Sequence, residues 1–281
     1  MAPAAQHEEA LGARAQSEVE RHAAVDRVIA AMHERIDRPF ALHEMAAIAF
    51  LSPFYFNRVF RQLTGVPPRR FHTALRIAAA KRMLLTTTLS VTEICLEVGY
   101  QSLGTFTTHF HELVSVSPRE LRRLAADPWL GATRMSTLCA VARCEPVAPG
   151  VEGIIAGVDD DRVVFVGLFA YPYPQGLPTG CTARMGSGPY ALESPRRGRL
   201  HVAATAFAPA DSVSSCLLPE ETSVLVASGA SPAPAAPVAR VRRDLRLRPL
   251  RSTDPPLLLS VPLVAAARVR ASRPSADALP V

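Results

Sequence analysis

Apolar residues recur at helical spacing through the first half of the chain. Val25, Val28, Ile29, Met32 and Ile36 mark one stripe, and "DRP" closes it. A short second helix is expected from Leu42 to Ala49. Ser52 with Pro53 behind it starts a third, and Gly65 with Pro67 and Pro68 ends it. A longer helix from Phe71 to Leu85 carries Phe71, Leu75, Ala78 and Leu85 on one face. The cycle then repeats: Ser90 opens a short helix to Val98, Ser102 opens another, and Ser117-Pro118 begins a last one ending near Ala126. At an offset of fifty, Ser52, Phe56, Phe60, Leu63, Pro68 and Phe71 fall on Ser102, Phe106, Phe110, Leu113, Pro118 and Leu121. One pattern is written twice.

After "DPW" (127–129) the period shortens. "RVVFVGLF", "RLHVAATAF" and "TSVLVAS" read as strands separated by Gly, Pro, Asp and Ser, the texture of an all-β sandwich or barrel. The expected fold class is therefore multidomain α and β: an all-α double helix-turn-helix domain, then a small all-β sandwich. The divisions are 1–20, a disordered or helical extension; 21–126, the helical domain; 127–150, a linker; 151–265, the β domain; and 266–281, a disordered tail. "ASGASPAPAAPVA" reads as a Pro/Ala-rich loop. Val163, Phe165, Gly167 and Phe169 read as one strand face in the β core, and Asp159-Asp160-Asp161 as a hairpin turn.

Two short helices joined by a tight turn, the second capped by serine, are the sequence form of a helix-turn-helix. Phe56, Phe60 and Leu63, like Phe106, Phe110 and Leu113, form inward stripes at i, i+4 and i+7. What remains faces outward: Phe54, Asn57, Arg58 and Arg61 on one helix, Leu103, Gly104, Thr107, Thr108 and His111 on the other. Arg pairs with guanine and Asn with adenine in a major groove, so double-stranded DNA is the expected partner.

Residues 24–125 resemble the DNA-binding domain of the AraC/XylS family of bacterial transcription regulators. The match lies in "EICLEVGYQSLGTFTTHFHELVSVSPRELRR", with Gly99-Tyr100, Ser102, Phe106, Phe110 and Ser117-Pro118 at the family's positions, and in "RIAAAKRMLL" (Arg76 to Leu85). The resemblance implies two helix-turn-helix units held by a linker helix, reading groove segments about one DNA turn apart. It places Phe54, Asn57 and Arg58 at base-facing positions of the first unit, and Leu103, Gly104, Thr105 and Thr108 at those of the second. Where the family carries glycine in the first turn and before the final Pro motif, this chain has Phe50 and Ser115, each costing about 1 kcal/mol where φ is positive. The stretch "GPYALESPRRGRLHVAATAF" resembles the strand pair of transthyretin-like or carboxypeptidase-regulatory-like sandwiches.

Charge sharpens the picture. The net charge is +6, and residues 21–126 hold fourteen Lys/Arg against eight Asp/Glu, which suits a polyanion. The phosphate-contact candidates are Ser52, Arg61, Arg69, Arg70, Arg76, Lys81, Arg82, Ser102, Arg119, Arg122 and Arg123. No cation lies between Ser102 and Leu113, so the first head is expected to carry more hydrogen-bond readout.

Catalysis and metal chemistry find little purchase. His72, His109 and His111 lack a carboxylate motif, and Cys139-x4-Cys144 lacks a second ligand pair at zinc spacing. Five cysteines indicate no disulfide framework. The acidic start is not a signal peptide, and "LLLSVPLVAAA" is too short to span a bilayer. The expectation is a cytoplasmic, non-enzymatic DNA-binding regulator without cofactor or membrane contact. RNA polymerase and a small-molecule effector on the β domain are the further partners it allows. The alternative is an architectural or RNA-binding protein without a regulatory ligand.

Overall fold

The computed structural model describes residues 3–142, 149–193, 200–218, 224–228 and 241–258, with 262 and 266. Cys144, most of the Pro/Ala-rich loop and nearly all of the expected tail lie outside them. The described chain opens with α1 (Pro3–Glu34), α2 (Leu42–Ala49), α3 (Pro53–Thr64), α4 (Pro68–Thr86), α5 (Val91–Glu97), α6 (Leu103–Val114) and α7 (Pro118–Ala125). The serines read as caps are caps. Ser52, Ser90, Ser102 and Ser117 accept from the amides of Tyr55, Glu93, Thr105 and Glu120 at 3.2–3.4 Å. Glu93 returns the bond by accepting from the Ser90 amide at 2.7 Å. Each cap stabilises its helix by about 1 kcal/mol.

The two units turn alike. Phe50 and Gly99 both adopt left-handed backbone, at φ 57° and 74°. The Leu51 amide then donates to Ala46 and the Tyr100 amide to Cys95, closing both helix ends. Phe50 thus keeps the turn that glycine makes rather than forcing another, and Ser115 (φ 71°) does the same at the end of α6.

Helix α4 is the spine between two cores. Its Phe71 and Leu75 join Val25, Val28, Met32, Met45, Phe56 and Phe60 in the first unit. Its Ile77, Ala80 and Leu84 join Ile94, Phe106, Phe110 and Leu121 in the second. Val59, unassigned by the stripe reading, is also buried, while Leu63 is only partly so.

The stretch expected to be a linker instead folds into α8 (Pro128–Ala132) and α9 (Met135–Ala142). Among the described residues nine strands follow: β1 (Pro149–Ala156), β2 (Val163–Phe169), β3 (Gly180–Met185), β4 (Gly188–Glu193), β5 (His201–Phe207), β6 (Leu225–Ser228), β7 (Val241–Arg242), β8 (Leu245–Arg246) and β9 (Arg248–Pro249). They form a sheet ordered β3-β2-β5-β6-β9 and a second ordered β4-β1-β7, with β8 also on β1. Within the large sheet β2 runs antiparallel to both neighbours, Phe165 opposite Ala183 and Thr205. Asp159–Asp161 therefore lies between strands of different sheets and closes no hairpin, and β4 and β5 are likewise in different sheets.

All seven residues of β2 are buried, because both faces of its sheet are covered. Val164, Val166 and Leu168 point to an apolar layer shared with Val151, Ile155, Tyr190 and Leu192 of the small sheet. Val163, Phe165 and Phe169 point the other way. They pack in one continuous cluster with Phe207, Met135 and Leu138 and with the second helical unit. The alternating face read as β core is thus the face that meets the helices.

One position invites repair. The Ser115 hydroxyl is buried without a hydrogen-bond partner, on a residue with positive φ. Glycine there removes left-handed strain of about 1–2 kcal/mol and an unpaired hydroxyl worth a similar amount, against under ~1 kcal/mol of added unfolded-chain entropy. Ser115→Gly is expected to raise stability by about 1–2 kcal/mol, read from the urea midpoint at unchanged slope. A lowered midpoint would contradict this account.

Candidate nucleic-acid interface

The N-terminal halves of α3 and α6 carry the predicted base-facing positions. On α3, Phe54 is 82% exposed, and Asn57, Arg58 and Arg61 are exposed with it. The spacing 54, 57, 58, 61 holds these side chains on one face while Phe56, Val59 and Phe60 hold the opposite face in the core. The Arg58 guanidinium carbon lies 5.0 Å from the Tyr55 ring centroid, a cation–π contact one helical turn back. This limits the rotamer freedom that Arg58 would lose on binding.

On α6, Leu103, Gly104, Thr105 and Thr108 are all exposed. Thr107, read as outward, is half-buried and donates its hydroxyl to the Leu103 carbonyl at 2.8 Å. A side chain at Gly104 would meet only the Ser102 hydroxyl, at 3.7 Å, so packing does not demand glycine there.

The cations divide into two sets. Arg61, Arg69, Arg82 and Arg119 are exposed, as are the capping residues Ser52 and Ser102. Others serve the fold. Lys81 is 2% exposed, and burial lowers its pKa to about 8, so it cannot reach a phosphate from this position. Arg122 donates to the Leu84 and Leu89 carbonyls at 3.1 and 2.7 Å, pinning α7 to the end of α4. Arg76 donates to the Val98 carbonyl at 2.5 Å and lies over the Tyr100 ring. The Arg70 guanidinium carbon sits 3.2 Å from the Tyr171 ring centroid. Arg123 is exposed but forks onto Glu120 at 2.5 and 2.9 Å. Composition counts these cations alike; only packing separates them.

The histidines are scattered in role. His72 is buried, meets the Arg35 carbonyl at 3.2 Å, and burial lowers its pKa, which favours the neutral ring. His109 pairs with the Tyr100 hydroxyl at 3.1 Å, and His111 is exposed. Phe50, marked in the sequence only as a departure from the turn glycine, is 84% exposed at the first turn with Arg27 stacked 5.5 Å from its ring. Its signal was an aromatic at a position where the turn favours glycine. Among the described residues no helix is long and apolar enough to cross a membrane.

A helix-turn-helix domain family matches residues 45–124. The HTH-type transcriptional regulator GlxA of Rhizobium meliloti is 33% identical over 102 residues, which is 36% of this chain and 32% of that protein. An uncharacterized HTH-type transcriptional regulator of Haemophilus influenzae is 37% identical over 82 residues, 29% of this chain and 28% of that one. The chain thus spans about a third of the length of the curated relatives it matches. Among solved structures, the DNA-binding domain of AdpA, described as a global transcriptional factor, in complex with a target DNA is 31% identical. That match has a TM-score of 0.35 and covers 37% of this chain and 96% of that one. With two left-handed turns and two capped, exposed second helices already in place, residues 45–124 are a helix-turn-helix domain.

Proposed function

We propose that the whole chain is a sequence-specific DNA-binding transcription regulator, with α3 and α6 entering adjacent major-groove segments. The observation that carries this reading is the pairing of Asn57 and Arg58 on an exposed helix face, within a domain similar to those of known regulators. Both recognition faces are open in the presence of the β region, so docking requires no unmasking. Gly104, with free space around it, would let the α6 backbone approach a base edge closely. Arg61, Arg69, Arg82 and Arg119 supply phosphate contacts, with Ser52 and Ser102 at the helix starts. The two sheets would form a sandwich of the transthyretin-like kind, supported by their shared apolar layer. That region would sense a small effector or mediate assembly, including with RNA polymerase, and the protein would act in the cytoplasm.

The two heads are expected to be unequal. Loss of a bidentate base contact costs about 1–3 kcal/mol, whereas loss of a threonine methyl contact costs less than ~1 kcal/mol. Arg58→Ala should weaken specific binding at least tenfold and relax preference at one or two adjacent bases. Thr108→Ala should change affinity only a few-fold. Binding-site selection on both variants decides the ranking: a larger loss at Thr108 would make α6 the principal reader. If the unaltered protein selects no sequence at all, sequence-specific regulation is the wrong function.

A further inference from the structure

The segment joining β2 to β3, residues 170–179, touches both helix-turn-helix units. At the first unit Tyr173 packs with the core, and its ring is so close to Gly65 that a Cβ there would stand 2.9 Å from Cε2. Gly65 ends α3, the first recognition helix. Beside it, Tyr171 stacks against Arg70 at the start of α4. At the second unit, the Gly176 amide donates to the Leu113 carbonyl at 2.7 Å. A Cβ on Gly176 would lie 2.7 Å from the Glu112 carbonyl oxygen. Leu113 is in the last turn of α6, the second recognition helix. One loop therefore grips the tail of each reading helix.

The loop is itself braced from behind. Burial and the neighbouring Asp254 carboxylate push the Tyr173 hydroxyl up, and Asp254 is 3% exposed in its side chain and forked by Arg248 at 2.6 and 2.7 Å. Gln175 donates to the Pro256 carbonyl at 3.5 Å. The same 248–256 stretch reaches α1, where the Ser252 hydroxyl donates to Asp26 at 2.8 Å. Among the described residues the two units are also joined by α4, by Ile36 packed against the second core, and by Gly99 lying against the Asp37 carbonyl.

We infer that residues 171–176 are a positioning strut: they fix the separation and relative rotation of α3 and α6, and so set which spacing of two half-elements the protein accepts. This rests on the DNA-reading function proposed above. Adding one base pair between two segments displaces the second by about 3.4 Å and rotates it by roughly a tenth of a turn. A braced pair of heads cannot follow, whereas a pair held only by α4 and the Ile36 and Asp37 contacts bends toward it more readily. Tyr171 and Tyr173 act through the helices they hold, without touching DNA.

The probe is the highest-affinity duplex selected by the full chain, with and without one base pair inserted between its two protected segments. The unaltered protein should lose at least tenfold in affinity on insertion. The Tyr171→Ala/Tyr173→Ala variant should bind the original duplex three- to tenfold more weakly, yet lose less than threefold on insertion. If the double variant fails to fold, Tyr171→Ala alone removes only a 40%-exposed ring. Spin labels at Gln62 and His111, both exposed, then report the distance between α3 and α6 without DNA. That distribution should broaden in Tyr171→Ala. An unchanged insertion penalty in a folded variant, or an unchanged distance distribution, overturns the strut. Failure of the unaltered protein to select any duplex sinks the parent reading instead, while the label distances still judge the strut.

Discussion

Replacing Gly99 with alanine is expected to cost more than about 4 kcal/mol and to abolish binding by the second head. The left-handed backbone at this turn (φ 74°) contributes only part, about 1–2 kcal/mol. Phe50 and Ser115 show that this fold tolerates a side chain at positive φ. Space decides the difference. A Cβ on Gly99 would stand 2.3 Å from the Asp37 carbonyl oxygen, 2.4 Å from its carbon and 2.6 Å from Arg76 Nη2. No rotamer change relieves a clash with backbone, so either the α1–α2 connection withdraws or the turn opens. Both routes disturb the bond from Arg76 to the Val98 carbonyl, which ties α4 to the second unit. Urea unfolding checks the cost, and binding to a duplex selected by the unaltered chain checks the head. A loss below ~2 kcal/mol with affinity kept within threefold would show that the α1–α2 connection yields easily.

Lys81→Met is expected to stabilise the protein by roughly 1–3 kcal/mol at pH 7. Lys81 is the only lysine in the chain, and it is buried where α4 meets the β region. Burial drives its pKa from 10.5 down to about 8, a penalty of roughly 3 kcal/mol on the charged form. Cys216 is the titratable group that acts on it, and burial pushes that thiol up to about 12, so it supplies no counter-charge at neutral pH. Below about pH 8 the folded and unfolded chains both hold the proton, and the penalty is constant. Between about 8 and 10.5 the unfolded chain keeps it while the folded chain releases it, so stability rises with pH. Methionine fills a similar volume without the charge. Its advantage should be largest at pH 7 and shrink toward pH 10, as paired urea midpoints would show. A variant less stable than the parent at pH 7 would mean that Lys81 is stabilised by something other than its titratable surroundings.

The helical half was legible because its information is local. Four serine caps, the proline and glycine stops, and the i, i+4, i+7 stripes each concern residues within one or two turns. The same logic put Phe54, Asn57, Arg58 and Thr108 outward, where they are exposed. What escaped depends on distant partners. Nothing near Lys81 in sequence says that Cys216, 135 residues later, will come up beside it. Arg70 and Arg122 look like Arg69 and Arg119 until Tyr171 and the Leu84 and Leu89 carbonyls come within reach. Val163, Phe165 and Phe169 were visible as a strand face, yet a period of two cannot say whether a sheet or a helix lies opposite. Helices α8 and α9 were missed because at five and eight residues they are too short to show a helical period, and "DPW" read as a boundary although Asp127 caps α8.

The cluster that runs from Phe106 and Phe110 through Met135 into Phe165 and Phe207 joins the second helical unit to the sheet by apolar packing. Energy placed at one end is therefore felt at the other. A duplex present at a hundred times its dissociation constant adds about 2.7 kcal/mol to the folded state, and the strands share in it. By the same reciprocity, whatever tightens or loosens the sheet must change the affinity for DNA by the factor with which DNA changes its own grip. The heads and the sheet answer to a single melting curve.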